Sequence, residues 1–381
     1  MNRTLTIVGA SVRAAAQSAR RAGFVVHAGD LFADLDLGRD CQATAVDDYP
    51  RGLASTVWGP QSGPWMYTGA LENAPELVAE WSTIRRLLGN GAEVLRRARD
   101  PWLVSQALRE SGLLAPKLAT QGSLPPRDGR WLRKPRLSAA GAHIAHWNDM
   151  SSHAHDSDDC VFQKYIGGLP CSAVYVAARG RAVLLGVTRQ LIGESWCGGS
   201  GFRYCGSIGP LRLPSAAETR FDEIGQCLAK SFELVGLFGV DMILNELGVW
   251  PVEINPRYTA SAELFDWSCN ISTIALHVDA CQRGELPAAV LTPGHCCGKA
   301  ILFANGPVTV GNVARRWLTE ECGSWPRLAD IPVPGSTLTS GCPIVTVFAQ
   351  EDNEQLVMNR LKLEAMLVRD DLDVPLPSAL G

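Results

Sequence analysis

The sequence lacks the features that would place it across a membrane, on a nucleic acid or around a structural zinc ion. No window reaches the roughly 18 uninterrupted apolar residues that a membrane span requires. The formal net charge is only −4, so no excess of positive charge favours nucleic acid or an anionic membrane as a partner. The 12 cysteines are scattered without a Cys-x-x-Cys pair, which argues against zinc and against the disulfide framework of a short secreted protein.

Two further absences concern the start of the chain and local metal ligands. The first ten residues contain neither the apolar core nor the cleavage site of a signal peptide, so a cytoplasmic protein is expected. His295-Cys296-Cys297 is the only local group with metal-ligand residue types. Free cysteine often packs as a small hydrophobic residue, and a metal there is not the favoured interpretation.

The chain, at 381 residues, is long enough for two or three domains, and residues 1–95 predict a small α/β domain. Thr4 to Val8 and Phe24 to Ala28 are typical strands, and Val12 to Ala22 is a typical helix between them. The order strand, helix, strand indicates a parallel sheet.

This first domain lacks the glycines of a dinucleotide fingerprint, since only Gly9 stands at one of the three required positions. Asp30 follows the second strand, where an acidic residue can hold a ribose, but without the glycines NAD binding is disfavoured. Glu72 follows a later apolar turn, at a position where loops at strand ends commonly contact a ligand.

The stretch from Gly239 to Arg257 predicts two strands joined by a short turn. Alternation would place Asp241 of the first strand and Glu253 and Asn255 of the second on one face. Mg²⁺ prefers such oxygen donors and fills its remaining positions with water and phosphate. Arg257 would face the same centre as a fixed cation. An ordinary edge hairpin with solvated carboxylates is the alternative, and the spacing alone does not decide between the two.

Two other segments predict contacts with a ligand. Lys134 lies in a short strand that leads into a loop of small residues, Ser138 to Ile144, whose backbone can approach phosphate oxygens closely. Residues 193–210 are rich in glycine and include Arg203 and Tyr204, a composition that favours a gate or substrate loop.

The remaining segments predict regular elements and a surface stretch. The polar segment 153–159 is expected to be solvated, and residues 260–279 are expected to be mainly helical. An amphipathic helix from Ala216 to Val235 is expected to end at Gly236. The tail from residue 298 predicts two strands and a final helix near 352–368, packed on the middle domain as a small closing element.

These segments, taken in order, resemble the ATP-grasp superfamily of ADP-forming carboxylate ligases, over about residues 1–350. The matching motifs are Arg133-Lys134-Pro135, Gln163-Lys164-Tyr165-Ile166-Gly167-Gly168, the run from Phe202 to Pro210, Gly239-Val240-Asp241, and the run from Val252 to Arg257. The resemblance implies an α/β fold, α+β in the middle domain. The domains that it implies are a Rossmann-like pre-ATP-grasp domain (1–95), a two-lobed ATP-binding domain (96–290, lid about 120–168) and a C-terminal closing element (291–381).

The resemblance also implies ATP and Mg²⁺ or Mn²⁺ as cofactors, with a role for each matching residue. Lys134 would lie over the nucleotide phosphates, near the loop that Ser138 opens, and Arg257 would steady the acyl-phosphate and the tetrahedral centre. The other roles are adenine recognition by the hinge Gln163, Lys164, Tyr165 and Ile166, and metal binding by Asp241, Glu253 and Asn255.

The implied reaction transfers the γ-phosphate of ATP to a carboxylate, which an amine then attacks, and it needs no protein nucleophile. Residues 202–210 and 329–349 are similar to the branch that contains tyramine–glutamate ligases and one-carbon coenzyme side-chain ligases. That similarity implies an amide bond between an amino acid, with glutamate as a candidate, and a small amine or coenzyme precursor in methanofuran- or methanopterin-type cofactor biosynthesis. Arg203, Tyr204 and Glu72 are the candidate substrate contacts. The implied partners are small molecules, with a homodimer as the usual assembly.

The sequence departs from the superfamily pattern at two nucleotide contacts. The lysine expected near the start of the middle domain is absent, and either Arg96, Arg97 or Arg99 replaces it or the contact is missing. Lys164 stands where the hinge often carries an acidic residue. The alternatives are therefore a biotin- or purine-type carboxylase and a nucleotide-binding protein without turnover. A Rossmann dehydrogenase would need the missing glycines.

Overall fold

The computed structural model describes residues 3–60, 63–120, 123–148, 160–288, 293–319, 321–322 and 325–372. The polar segment 153–159 lies outside these residues. In the part of the chain that is described, no helix has the length and apolar character needed to cross a bilayer.

The N-terminal residues form a sheet covered by helices. Its strands are β1 (Arg3–Val8), β2 (Phe24–Asp30), β3 (Gln42–Ala45) and β4 (Trp65–Tyr67), and its helices are α1 (Arg13–Arg21), α2 (Leu35–Asp40), α3 (Ala54–Val57) and α4 (Pro75–Ser82). The four strands are parallel, in the order β3-β2-β1-β4. The predicted parallel strand–helix–strand unit is therefore confirmed.

Asp30 closes the turn between β1 and α1 and is not available to a dinucleotide ribose. Its buried carboxylate accepts hydrogen bonds from the amides of Val12 at 2.8 Å, Phe32 at 2.7 Å and Ala33 at 2.9 Å. These bonds satisfy backbone donors that the turn would otherwise leave buried without a partner.

Two helices and a small sheet come next along the chain. They are α5 (Ala92–Ala98), α6 (Pro101–Glu110), β5 (Asp128–Pro135), β6 (Ala145–Asn148) and β7 (Cys160–Lys164). Asp100 caps α6 by accepting from the amides of Trp102 and Leu103, and Pro101 takes the first helical position, where its missing N–H costs nothing. The three strands form an antiparallel sheet in the order β6-β5-β7, which we call the lid sheet. The lid sheet lies within the lid of about residues 120–168 that the resemblance implied.

The rest of the chain forms one large antiparallel sheet with helices packed on it. Its elements are β8 (Leu169–Ala178), β9 (Arg181–Ile192), β10 (Tyr204–Gly209), α7 (Ser215–Phe232), β11 (Gly236–Asn245), β12 (Gly248–Asn255), α8 (Ala262–Ser268), α9 (Thr273–Arg283), β13 (Cys296–Phe303), β14 (Val308–Thr309), α10 (Val313–Thr319), β15 (Glu321–Cys322), β16 (Trp325–Pro326), β17 (Leu328–Ala329), β18 (Thr337–Leu338), β19 (Pro343–Glu351) and α11 (Glu354–Asp371). Eight strands form this sheet, in the order β12-β11-β8-β9-β10-β13-β19-β17, while β14 pairs with β18 and β15 with β16.

The tail differs from the separate closing element that the sequence predicts. Strand β13 pairs along β10, and β19 and β17 follow in the same sheet, so the sheet continues across the predicted boundary at residue 290. One third of the loop predicted at 193–210 is strand, because β10 fills the gap between β9 and β13. Pairing on both sides fixes these glycine-rich residues in extended form.

Two helix predictions also need correction. Helix α7 ends at Phe232, and Glu233 takes the left-handed conformation at φ 54°, whereas Gly236 begins β11. The helical stretch predicted at 260–279 is two helices, α8 and α9, and the side chain of Ser272 caps the second by accepting from the amide of Ala275.

One hydrophobic core joins the N-terminal sheet to the large sheet. Leu5 and Ile7 of β1 belong to the same buried cluster as Val174 of β8, Phe265 of α8 and Ile274 of α9. Because this apolar surface is buried between the two units, the N-terminal sheet is held firmly against the face where α8 begins.

Candidate functional site

The hairpin of β11 and β12 brings the three predicted oxygen donors together. The register places Asp241 opposite Glu253 and Gly239 opposite Asn255. The Asn255 Nδ2 donates to Asp241 Oδ2 at 3.0 Å, and Gln190 Nε2 of β9 donates to Asp241 Oδ1 at 2.9 Å. Asp241 is therefore held in one orientation from two strands.

The two carboxylates of the hairpin have opposite pKa shifts. Burial and the negative charge of Glu253 raise the pKa of Asp241 to about 6. Burial also disfavours ionised Glu253, but the positive charges of Arg99 and Lys134 outweigh that effect and lower the pKa of Glu253. Both groups are ionised at neutral pH, and a cation between them would relieve their repulsion.

This donor set fits a hard divalent cation that keeps part of its coordination sphere for other ligands. Two carboxylates and one amide leave positions for water and for phosphate oxygens, as Mg²⁺ prefers. Within the described ranges, no group of three or more His, Cys, Asp or Glu side chains could hold a metal by itself, and this includes the surroundings of His295-Cys296-Cys297.

Arg257 is fixed beside the hairpin by a buried carboxylate. Its Nε and Nη2 atoms donate to Glu72 Oε1 at 2.8 and 2.6 Å, and Nη2 also donates to Asn255 Oδ1 at 3.1 Å. Glu72 is buried behind Arg257 and is not part of the cavity wall, while its Oε2 has no described hydrogen-bond partner. The substrate contact predicted for Glu72 is corrected: Glu72 positions Arg257.

Arg99 is the arginine that reaches the hairpin among the three named as substitutes for the missing lysine. Its guanidinium pairs with Glu253 and donates from Nη2 to the carbonyl oxygen of Ser138 at 3.2 Å. Arg96 instead lies on the outside near Glu93 and Glu76, and Arg97 donates to a carbonyl of α7. Arg99 therefore places a cation on the side of Glu253 that faces the lid.

Lys134 lies between the lid sheet and the hairpin. Its Nζ atom donates to Gln163 Oε1 at 3.3 Å and to the carbonyl oxygen of Val252 at 3.2 Å. The carbonyl oxygen of Ser138 accepts a hydrogen bond from Arg99. Ser138 lines a smaller cavity that adjoins the main one. Lys134, Gln163 and Glu253 line the adjoining cavity too, and the phosphate contact of Ser138 stays a prediction.

Two backbone amides of the hinge at the end of β7 already form hydrogen bonds within the protein. The amides of Lys164 and Tyr165 donate to the carbonyls of Lys117 at 2.8 Å and Arg130 at 2.9 Å. The Lys164 ammonium lies 5.4 Å from the ring centre of Trp131, and the Tyr165 ring is 44% exposed. Recognition of adenine by the amide donors of these two residues is therefore excluded in this arrangement, while their carbonyls and the amide of Ile166 remain.

The loop between β5 and β6 rests on the residues just before β10. The amide of Tyr204 donates to the carbonyl of Ala140 at 3.1 Å. Gly141 has φ 76°, and a Cβ atom built on it would lie 1.8 Å from the carbonyl oxygen of Phe202. Only glycine fits this approach, so the loop is shaped to dock there.

Tyr204 and Arg203 point in different directions. The Tyr204 hydroxyl lies 2.9 Å from Ser207 Oγ, and the residue lines the main cavity. The Arg203 guanidinium instead lies 4.8 Å from the Phe303 ring centre and donates to the carbonyl of Gly341 at 3.3 Å. The substrate contact predicted for Arg203 is therefore corrected: Arg203 anchors its loop to the C-terminal strands.

A cavity of about 670 Å³ joins these features, and we call it the central cavity. It lies between the lid sheet, the large sheet and the turn between β1 and α1. The predicted residues that line it are Lys134, Gln163, Lys164, Tyr165, Ile166, Tyr204, Asp241, Glu253, Asn255 and Arg257. Its volume is in the range that holds a small-molecule ligand.

The far end of the central cavity has polar residues that the sequence interpretation missed. They are Arg13, Ser261, Lys299, Asp330 and Thr346. One signal was available, because Lys299 is the only charged residue in the otherwise apolar strand from Cys296 to Phe303. Asp330 and Thr346 lie in the segment 329–349 that the resemblance singled out, but no role for either side chain followed from it, and Arg13 and Ser261 are far from them in the sequence.

The fold is α/β, with a lid sheet over the central cavity. Comparisons with known proteins show which proteins share it. Residues 98–261 match the family model of the ATP-grasp domain. An uncharacterised protein of Methanocaldococcus jannaschii is 21% identical, over 92% of this chain and 89% of its own length. Residues 98–261 therefore form an ATP-grasp domain.

Solved structures agree with this assignment of the fold. The L-amino acid ligase of Bacillus licheniformis superposes with a TM-score of 0.69 at 14% identity, covering 97% of this chain and 98% of its own. The N5-carboxyaminoimidazole synthetase of Staphylococcus aureus gives 0.68 at 15% identity, covering 96% and 100%. The biotin carboxylase of Campylobacter jejuni gives 0.70 at 12% identity, covering 94% and 90%.

Proposed function

We propose that this protein is an ATP-dependent, ADP-forming ligase that activates a carboxylate as an acyl-phosphate and joins it to an amine. The observation that carries the proposal is the meeting of Asp241, Glu253 and Asn255 with Arg257 in one cavity under a lid that carries Lys134. Oxygen donors for a metal, a cation for the phosphates and a fixed cation for the reacting group are the parts that phosphoryl transfer needs.

Each residue has a distinct task in this proposal. Asp241, Glu253 and Asn255 would hold Mg²⁺ or Mn²⁺, which supplies charge neutralisation at the phosphates when it is bound. Lys134 and Arg99 add positive charge from the lid side, and Gln163, Lys164 and Ile166 border the adenine. Arg257, oriented by Glu72, faces the substrate carboxylate.

The proposed chemistry has two steps. A carboxylate oxygen attacks the γ-phosphorus of ATP, the bond to the β-phosphate oxygen breaks, and ADP and an acyl-phosphate result. The amine nitrogen then attacks the acyl carbon, phosphate leaves, and the amine loses a proton as the amide forms. Arg257 neutralises the oxygen that becomes negative in the second step. Positioning and charge do the work, so no protein nucleophile is required.

The substrates we propose are an amino acid, with glutamate as the first candidate, and a small amine or coenzyme precursor. The support is the resemblance of residues 202–210 and 329–349 to ligases of one-carbon coenzyme biosynthesis. The position of Tyr204 in the cavity wall agrees with a substrate contact. A homodimer and a cytoplasmic location stay predictions from the sequence.

Nucleotide release tests the reaction. Purified protein with Mg-ATP, incubated with pairs of amino acids and amines, is expected to release ADP and phosphate only with a correct pair, and mass spectrometry should find the amide. AMP as the product would contradict the mechanism. Release that depends on bicarbonate would favour a carboxylase, and nucleotide binding without release for any pair would favour a protein without turnover.

Replacing the Glu253 carboxylate tests the metal assignment. Glu253→Gln removes the charge that faces Asp241, and we expect turnover to fall by about a hundredfold or more while the far-UV circular dichroism stays unchanged. Glu246→Gln, at the exposed turn of the same hairpin, is the matched control and should keep full activity. Full turnover in Glu253→Gln would show that the metal assignment is wrong.

A further inference from the structure

Lys299 places unused hydrogen-bond donors at the far end of the central cavity. Its Nζ atom donates to Glu263 Oε2 at 2.8 Å, the one partner it has among the described residues. An ammonium group has three N–H donors, and a side chain that is only 5% exposed cannot satisfy the other two in bulk water. Buried donors without partners are costly, so this end of the cavity favours an anionic group.

Asp330 places a carboxylate at the same end. Its Oδ1 accepts from Arg13 Nε at 2.9 Å, and its Oδ2 accepts from Arg13 Nη2 at 3.1 Å and Thr346 Oγ1 at 2.6 Å. Burial alone would raise the pKa of Asp330, but the charge of Arg13 and these hydrogen bonds lower it, so Asp330 is ionised at neutral pH. Its side chain is 25% exposed and lines the cavity.

Arg13 is saturated and cannot itself bind a ligand. Its five N–H donors are used by Asp330, Glu263 and Gln17. Glu263 is equally enclosed, since it accepts from both Arg13 and Lys299 and its side chain is 2% exposed. Asp36 also lies 3.6 Å from Arg13 Nε, so the buried carboxylates Glu263, Asp330 and Asp36 outnumber the two cations of this cluster. Of these groups, Lys299 and Asp330 have hydrogen-bonding capacity left on the side of the cavity.

A chain of hydroxyl groups completes the polar wall of the cavity. Ser207 Oγ lies 2.9 Å from the Tyr204 hydroxyl and 3.3 Å from Ser261 Oγ. Hydroxyls both donate and accept, so this wall tolerates a polar ligand of either sign, whereas Lys299 and Asp330 discriminate by charge.

We infer that Lys299 and Asp330 bind the two α-groups of a free amino acid, Lys299 its α-carboxylate and Asp330 its α-ammonium group, so that the carboxylate facing Arg257 in the proposed reaction is the side-chain carboxylate of an amino acid such as glutamate. A ligand that carries only one of these charges would leave the other side chain unmatched in a largely desolvated place, and this mismatch gives selectivity for a zwitterion. The inference rests on the proposed function for the fate of the amino acid, but binding itself does not depend on turnover.

Calorimetric titration tests this site with the 20 natural L-amino acids, each with and without Mg-ADP. At least one amino acid should bind the wild type. Its analogue without the α-amino group and its α-carboxamide should each bind about tenfold more weakly or worse, as expected for a lost charge-assisted hydrogen bond.

Two variants separate recognition from general structure. Lys299→Met should remove the preference for carboxylate over carboxamide but keep the preference for the amino group, and Asp330→Asn should do the reverse. Lys230→Met, on the exposed surface of α7, is the matched control and should bind like the wild type. Asp330→Asn could fail to fold because Arg13 loses its partner. In that case, titration of the wild type and of Lys299→Met with the amino acid and its two analogues still tests the inference.

Three outcomes would overturn the inference: no amino acid binds, the analogues bind as tightly as the amino acid, or a variant weakens all ligands equally. The result is independent of the ligase assay. Binding with this selectivity but without ADP release would reject the proposed function and keep the site, and amide formation without the selectivity would do the opposite.

Discussion

Arg99 connects two parts of the candidate site at the scale of single residues. It follows α5, pairs with Glu253 of β12 and donates to the carbonyl of Ser138, at the start of the lid loop. The planar guanidinium makes the two contacts from different nitrogens, Nη1 to Glu253 and Nη2 to Ser138. This explains how the chain keeps a cation at the position where the superfamily lysine is missing.

We predict that Arg99→Ala lowers kcat/KM for ATP by about tenfold or more, because the charge on the phosphate side is lost. Arg99→Lys should recover part of that loss. The measurement is steady-state ADP release at varied ATP, with Arg96→Ala as the matched control, since Arg96 lies outside the cleft. Equal losses in Arg96→Ala and Arg99→Ala would contradict the assignment.

The sequence predicted individual residues well where local geometry decides their direction. Asp241, Glu253 and Asn255 meet on one face as predicted, although a register shift between Asp241 and Met242 is needed to bring Asp241 opposite Glu253. Arg203 and Glu72 were predicted to contact substrate, yet they contact the C-terminal strands and Arg257. Their directions depend on neighbours that are distant in the sequence, and no local pattern encodes them.

The lid loop shows at the scale of elements how a glycine fixes a contact. Residues Ala140 and Gly141 lie against the backbone that leads into β10, and no side chain fits between them. The position of the lid sheet over the hairpin therefore depends on one close approach of two backbones.

Gly141→Ala is predicted to displace the loop and raise KM for ATP several-fold, because its Cβ would lie 1.8 Å from the Phe202 oxygen. Gly129→Ala is the matched control within the same sheet. Gly129 also has positive φ, at 73°, but a Cβ there meets nothing within 4 Å, so that variant carries the backbone strain without the clash. Nucleotide titration should show a larger loss of affinity in Gly141→Ala, and equal losses would reject the docking contact.

Elements with strong periodicity were predicted, and elements defined by their partners were not. The N-terminal strand–helix–strand unit and the hairpin follow hydrophobic patterns that belong to the segments themselves. Strand β6 has four residues and β10 is rich in glycine, so their extended form comes from hydrogen bonds to neighbouring strands. Strand β6 pairs with β5, and β10 lies between β9 and β13.

His277 joins three parts of the chain at the scale of the whole molecule. Its Nδ1 accepts from the amide of Leu237 in β11 at 2.9 Å, and its Nε2 lies 3.1 Å from the carbonyl oxygen of Leu88. Burial lowers the pKa of His277 to about 4, so the folded protein keeps the ring neutral. The stabilisation from this neutral ring is present above the ordinary pKa of His and is lost as the pH falls toward 4.

We predict that the free energy of unfolding of the wild type exceeds that of His277→Gln most strongly near pH 7. This difference should shrink by roughly 3 kcal/mol by pH 4, from about 1.4 kcal/mol for each pKa unit. Urea denaturation of both proteins at a series of pH values measures it. The comparison cancels the titration of shared carboxylates, and a difference that does not change with pH would contradict the prediction.

The sequence alone predicted that Glu253 and Asn255 share one face of a strand, because side chains alternate along the backbone. The register shift beside Asp241 decided that Asp241 joins them. The sequence also determined the order of elements that resembles the ATP-grasp superfamily. Only the tertiary structure decided that Arg99 lies against Glu253 and that Lys299 and Asp330 share one end of the cavity. Arg13 reaches Asp330 across 317 residues of chain, and such a contact exists only after two sheets pack on a common core.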